Sequence, residues 1–90
     1  MSKVEIYTTR FCPYCIMAKQ LLGQKGVAYH ETDVSGDDAA RRMLRERTGR
    51  RTVPQIFING KSVGGYDDIA ELDRQGKLDP MLAAPAPVSS

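Results

Sequence analysis

Polar and apolar positions alternate along Val4-Glu5-Ile6-Tyr7-Thr8, and this period of two with β-favouring residues predicts a first strand. After Phe11 the period changes. Ile16, Met17, Leu21 and Leu22, with Ala18 among them, recur at helical spacing behind Pro13, which suits a first helical position because the N–H it lacks has no partner there. Gly23 and Gly26 offer ends for this helix. A weaker strand is predicted from Val27 to Val34, running into a turn at Ser35-Gly36. Ser35 or Asp37 then caps a second helix whose inward stripe is read as Ala40, Met43, Leu44 and the aliphatic stem of Arg47, with Gly49 ending it. Thr52 to Ile58 is the most β-prone run, and Asn59-Gly60 after it signals a two-residue hairpin turn into a returning strand, Lys61 to Gly64. Tyr66 to Gln75 reads as a third helix with Ile69, Ala70 and Leu72 on one side, and Leu78, Met81 and Leu82 add a final helical turn.

The predicted order is β-α-β-α-β-β-α. A first parallel β-α-β unit and a late antiparallel hairpin combine into an α/β fold with one mixed four-stranded sheet packed by helices. A chain of 90 residues supports one such domain, assigned to residues 1–83, with residues 84–90 read as a disordered tail because Ala, Pro and Ser there bury too little.

Composition narrows the class. With 41% hydrophobic and 27% charged residues the chain is an ordinary globular one. It contains no run of about 18 apolar residues and no signal-peptide core before the first strand, so no membrane association and a cytoplasmic location are expected. The formal net charge of +2 gives no argument for a nucleic-acid partner. Its distribution is uneven: Arg41, Arg42, Arg45, Arg47, Arg50 and Arg51 stand against Glu46 alone, while Asp67, Asp68, Glu71 and Asp73 cluster later.

The candidate chemistry lies in Cys12-Pro13-Tyr14-Cys15, which holds both cysteines. Residues three apart on a helix share a face, with Cβ atoms about 5–6 Å apart, within the reach of a disulfide. With Pro13 as the first helical residue, Cys12 is the N-cap, and its sulfur faces free N–H groups at the positive helix end, which favours the thiolate. Cys15, one turn down, lacks that field. Cys12 is therefore assigned as attacker and Cys15 as resolver. A zinc site lacks ligands, since only His30 accompanies the two cysteines, and His30 reads as an ordinary strand residue. An inert pair of helix cysteines is the other alternative, and the surrounding β-α-β pattern weighs against it.

Three motifs in order, Cys12-Pro13-Tyr14-Cys15, Thr52-Val53-Pro54 and Gly64-Gly65-Tyr66-Asp67-Asp68, resemble the glutaredoxin family, and most of all its small bacterial dithiol members. The resemblance runs from about Val4 to Leu82. It implies a thioredoxin-like fold and a glutathione-dependent thiol-disulfide oxidoreductase, reducing protein-glutathione mixed disulfides through Cys12 and protein disulfides through Cys12 and Cys15. It implies glutathione as reductant, with no metal or nucleotide; a separate glutathione reductase upstream; glutathionylated or disulfide-bearing clients such as ribonucleotide reductase; and a monomer. It further implies a cis peptide bond before Pro54 and glutathione contacts from Arg10, Tyr14, Arg41, Thr52, Val53, Pro54, Gly65, Tyr66, Asp67 and Asp68, with Asp67 or Asp68 taking the ligand's ammonium group and Arg41 its glycine carboxylate. Two departures stand out. Thr9 replaces the lysine that many members carry three residues before the nucleophile, leaving Arg10 as the nearest substitute, and Tyr66 replaces a cysteine found in some. The alternatives are an iron–sulfur carrier, bridged as a dimer through Cys12 and glutathione, and a thioredoxin-type reductant; Pro13 and Cys15 argue against the first, and Pro13-Tyr14 and Asp67-Asp68 against the second.

Overall fold

A computed structural model of the chain describes residues 2–85. Its elements are β1 (Val4–Thr8), α1 (Pro13–Gln24), β2 (His30–Asp33), α2 (Asp38–Thr48), β3 (Gln55–Ile58), β4 (Lys61–Gly64), α3 (Tyr66–Arg74) and α4 (Leu78–Ala83). The sheet order is β2-β1-β3-β4, with β1 parallel to β2 and antiparallel to β3, and β3 antiparallel to β4. The mixed four-stranded sheet is the one the element order predicts.

Alternation sends Val4 and Ile6 of β1 and Ile56 and Ile58 of β3 into one buried cluster with Ala18 and Leu22 of α1, Ile69 of α3, and Leu78 and Leu82 of α4. Phe57, one residue out of phase with its neighbours, joins Val34, just after β2, and Leu44 of α2 in a second cluster, packed by Tyr7, Ala40 and Val53. The sheet is thus covered on both faces. Strand β3, second from the β4 edge, is buried at all four positions, whereas β2 at the opposite edge is mostly exposed, including His30.

Several boundaries and faces differ from the sequence reading. Helix α1 buries Cys15, Ala18 and Leu22, while Ile16 and Met17 are 52% and 39% exposed. The cap decides this phase: Cys15 turns toward Cys12 and the sheet, and residues one and two turns further on follow it inward. Val27 lies outside β2, because its N–H bonds the Leu22 carbonyl and closes α1 instead. Strand β3 begins at Gln55 rather than Thr52, since Pro54 has no N–H to give to a ladder. Met43 is 41% exposed, and Arg47 contributes its guanidinium, 4.6 Å above the Phe57 ring, rather than only its stem. The final helical turn is a separate helix, α4.

The hairpin turn has positive φ at both Asn59 (54°) and Gly60 (79°), as a two-residue turn matching the strand twist requires. Of the predicted tail, Ala84 closes α4 and the Pro85 carbonyl accepts from Asn59 Nδ2 at 3.3 Å; its residues 86–90 lie outside the described residues.

Candidate active site

Cys12 is the N-cap of α1, in an extended conformation, with Pro13 following at the helix start. Its Sγ accepts from the Cys15 N–H at 3.1 Å and lies 3.6 Å from the Val53 carbonyl oxygen. The two cysteines form a disulfide with Cα atoms 5.1 Å apart. The turn from the extended cap into the first helical turn brings them together locally. Cys12 is 8% exposed and Cys15 only 2%. The capping residue is therefore also the more accessible of the two, and its sulfur sits at the positive end of α1.

The peptide bond between Val53 and Pro54 is cis, as the motif implies. Val53 precedes the β1–β3 ladder, whose register begins at Gln55. Beside it opens a groove of about 260 Å³ lined by Tyr14, Arg50, Thr52, Val53, Pro54, Gly65, Tyr66, Asp67 and Asp68. All the residues expected around a ligand are there except Arg10 and Arg41. The Tyr14 and Tyr66 rings stand 6.5 Å apart across this groove, and Tyr14 is half exposed.

At one end the groove meets the start of α3. Gly65 is the N-cap, and the Asp68 carboxylate reaches back to accept from the Gly65 N–H at 2.9 Å. The same oxygen accepts from Arg50 Nη1 at 2.7 Å. Arg50 first, and then the Gly65 N–H, hold the Asp68 carboxyl below the usual carboxylate range. Arg50 is the residue that motif reasoning missed. Its only signal was membership of the arginine run, since its partner is 18 residues away in sequence. Asp67 is exposed and forms no ion pair among the described residues.

Arg10 and Arg41 lie in other depressions. Arg10 lines one with Phe11, Ser35 and Gly36, and its backbone N–H donates to Ser35 Oγ at 2.8 Å. Its charge is felt at Asp33, whose carboxyl is held low by the Ser35 hydroxyl and N–H and then by Arg10 and Lys19. Arg41 lines a depression with Asp38, Arg42, Arg45 and Arg51. Phe11, next to Cys12, is 96% exposed. Among the described residues no helix is long and apolar enough to cross a membrane.

Comparison with known proteins agrees with this geometry. The glutaredoxin family model matches residues 4–63. Glutaredoxin 3 of Escherichia coli is 51% identical over 82 residues, covering 91% of this chain and 99% of that protein. A glutaredoxin of Pseudomonas aeruginosa is 51% identical over 84 residues, covering 93% and 100%. Among solved structures, a buckwheat glutaredoxin–glutathione complex superposes with a TM-score of 0.86 at 38% identity, over 90% of this chain and 76% of that one. The solution structure of glutaredoxin from Brucella melitensis gives 0.80 at 49% identity, over 89% and 87%.

Proposed function

The chain belongs to the glutaredoxin family and is a glutathione-dependent thiol-disulfide oxidoreductase of thioredoxin-like fold, and from that premise we propose that Cys12 is the attacking thiolate and Cys15 the resolving thiol. The observation that carries the assignment is the Cys15 N–H at 3.1 Å from Cys12 Sγ at the start of α1. With a glutathionylated protein, Cys12 S⁻ attacks the glutathione sulfur. A Cys12–glutathione disulfide forms, the original S–S bond breaks and the client leaves as thiolate; a second glutathione thiolate then regenerates Cys12 S⁻ and carries away oxidised glutathione. With a protein disulfide, Cys12 forms the mixed disulfide, Cys15 displaces the client as a thiol, and two glutathiones reduce the resulting Cys12–Cys15 bond.

In this reading the groove holds glutathione as an extended peptide alongside Val53, whose backbone lies outside the ladder. Thr52 and Pro54 shape its floor and Tyr14 and Tyr66 its walls. The N–H groups of the first turn of α3 that follow Gly65, whose own N–H is taken by Asp68, receive the γ-glutamyl carboxylate. Asp67 is the better partner for the ligand's ammonium group, because Asp68 is already engaged by Arg50 and the Gly65 N–H. Arg50, at the groove, supplies positive charge, with Arg41 and Arg10 as longer-range contributors to the glycine carboxylate and to the Cys12 thiolate. A monomer in a glutathione-rich, reducing compartment such as the cytoplasm, acting on glutathionylated or disulfide-bearing proteins, fits this chemistry.

Turnover of a small glutathione mixed disulfide by the native chain, Cys12→Ser and Cys15→Ser tests the roles. Cys12→Ser should be inactive and Cys15→Ser should keep much of its activity. Full activity in Cys12→Ser sinks the assignment, and equal loss in both sinks the route that needs Cys12 alone.

A further inference from the structure

Of the six arginines between Arg41 and Arg51, two are occupied by the fold itself: Arg47 stacks over Phe57 and Arg50 pairs with Asp68. The other four, Arg41, Arg42, Arg45 and Arg51, converge with Asp38 on one open depression of about 410 Å³. None of the four forms an ion pair with an acid among the described residues. We propose that this depression seats an acidic segment of the client polypeptide, close in sequence to the client's oxidised cysteine. The proposal rests on the oxidoreductase reading for the nature of the client.

Helix stability accounts for only part of the cluster: Asp38 stands three and four residues before Arg41 and Arg42, at attractive spacings, and Arg45 lies in the last turn of α2. Arg41 and Arg45 are four apart and Arg42 and Arg45 three apart on α2, spacings at which like charges repel and weaken a helix. Arg41 Nη2 also reaches the Arg51 carbonyl at 3.4 Å, tying the loop before β3 to the helix. Planar guanidinium forks match carboxylates two bonds at a time, and a bound acidic segment relieves the repulsion. The position suits a client. Arg51 is two residues from Val53, about 7 Å of extended chain, and the Val53 carbonyl lies 3.6 Å from Cys12 Sγ. A carboxylate a few residues from the client's cysteine can therefore reach Arg51 while the disulfide that this cysteine forms is presented to Cys12. A nucleic acid fits less well: no aromatic side chain lines the depression for base stacking, and the whole chain carries only +2.

The test compares three substrates: a glutathione–cysteine mixed disulfide, a peptide glutathionylated at a single cysteine flanked by glutamates, and the same peptide with glutamines. In Arg42→Glu/Arg45→Glu, kcat/KM for the glutamate peptide should fall roughly tenfold while the other two substrates stay within about twofold. Arg42→Gln/Arg45→Gln should give a smaller loss in the same direction. In the native chain the preference for the glutamate peptide should shrink at about 0.3 M salt. Binding of a fluorescent glutamate peptide, read by anisotropy, measures docking apart from turnover. Arginine-dependent binding without turnover of any substrate leaves the docking surface standing and overturns the oxidoreductase reading. Normal turnover of the small disulfide with no peptide preference and no arginine-dependent binding overturns the docking surface alone. Retention of RNA that depends on Arg42 and Arg45, with peptide turnover unaffected by the substitutions, also overturns it.

Discussion

Replacing Asp68 separates a structural role from a ligand role at the mouth of the groove. One carboxylate oxygen holds the Gly65 N–H at 2.9 Å and Arg50 at 2.7 Å, so Asp68→Ala removes the reach-back bond at the start of α3 and an ion pair together. The bond at the helix start contributes about 1 kcal/mol. The side chains of the pair are 52% and 40% exposed, and solvent screening keeps its share at or below about 1 kcal/mol. The two share an atom and do not add independently, which makes about 1–2 kcal/mol the range for Asp68→Ala. For a domain of this size that is a fall in Tm of roughly 4–16 °C. Asp68→Asn keeps an acceptor for the Gly65 N–H and loses only the charge, so its Tm should fall by less, and about 0.5 M salt should narrow its gap to the native chain. The acid side has a definite sign. The folded carboxyl is held low by Arg50 and the Gly65 N–H, so its contribution is present above an unfolded pKa of about 3.9 and is lost as pH falls through the lower folded value. Asp68→Asn should flatten the pH dependence of stability there. Thermal melts from about pH 2 to 7 read both effects. An unchanged Tm in Asp68→Ala, or equal losses in the alanine and asparagine variants, would refute this division of roles.

Three further substitutions probe other parts of the chain. Gly64 has φ of +94°, and a Cβ there would fall on the Asp68 carboxyl, so Gly64→Ala should cost about 1–3 kcal/mol and raise the glutathione concentration needed for half-maximal rate; native-like melting would contradict it. Leu22 is fully buried between α1 and the sheet, and Leu22→Ala should cost about 2–5 kcal/mol in chemical denaturation, a loss under 1 kcal/mol being incompatible with the packing described. Thr8 donates its hydroxyl to Glu31 at 2.8 Å and is the largest cause of the lowered Glu31 carboxyl pKa, ahead of Lys19. Thr8→Val should therefore move the Glu31 titration, followed by NMR, toward higher pH, and so remove stability that the native chain holds above about pH 4 and loses on acidification; an unmoved titration would mean that the hydroxyl does not set it.

The features legible from residues alone were local. The strand at Val4–Thr8, the helix start at Cys12-Pro13, the Asn59-Gly60 turn and the end of α3 before Gly76 each depend on groups within a few residues of one another, and each is present. The pairing of Cys12 with Cys15 belongs to the same class, because the cap and the first helical turn lie within three residues of each other. Resemblance to a family extended this to the groove around Val53-Pro54 and Gly65-Asp68. Tertiary structure decided what no local rule carries. The phase of α1 follows from its cap and its seat on the sheet, which turned Ile16 and Met17 outward despite their apolar character. The approach of the Val53 carbonyl to Cys12, across 41 residues, requires β3 to lie beside β1 in the observed register. The arginines could not be sorted from their spacing either: Arg47 goes to Phe57, Arg50 to Asp68, and Arg41, Arg42, Arg45 and Arg51 to one open depression. A long cation takes whichever partner the packed elements bring within reach, and those partners lie on other strands and helices.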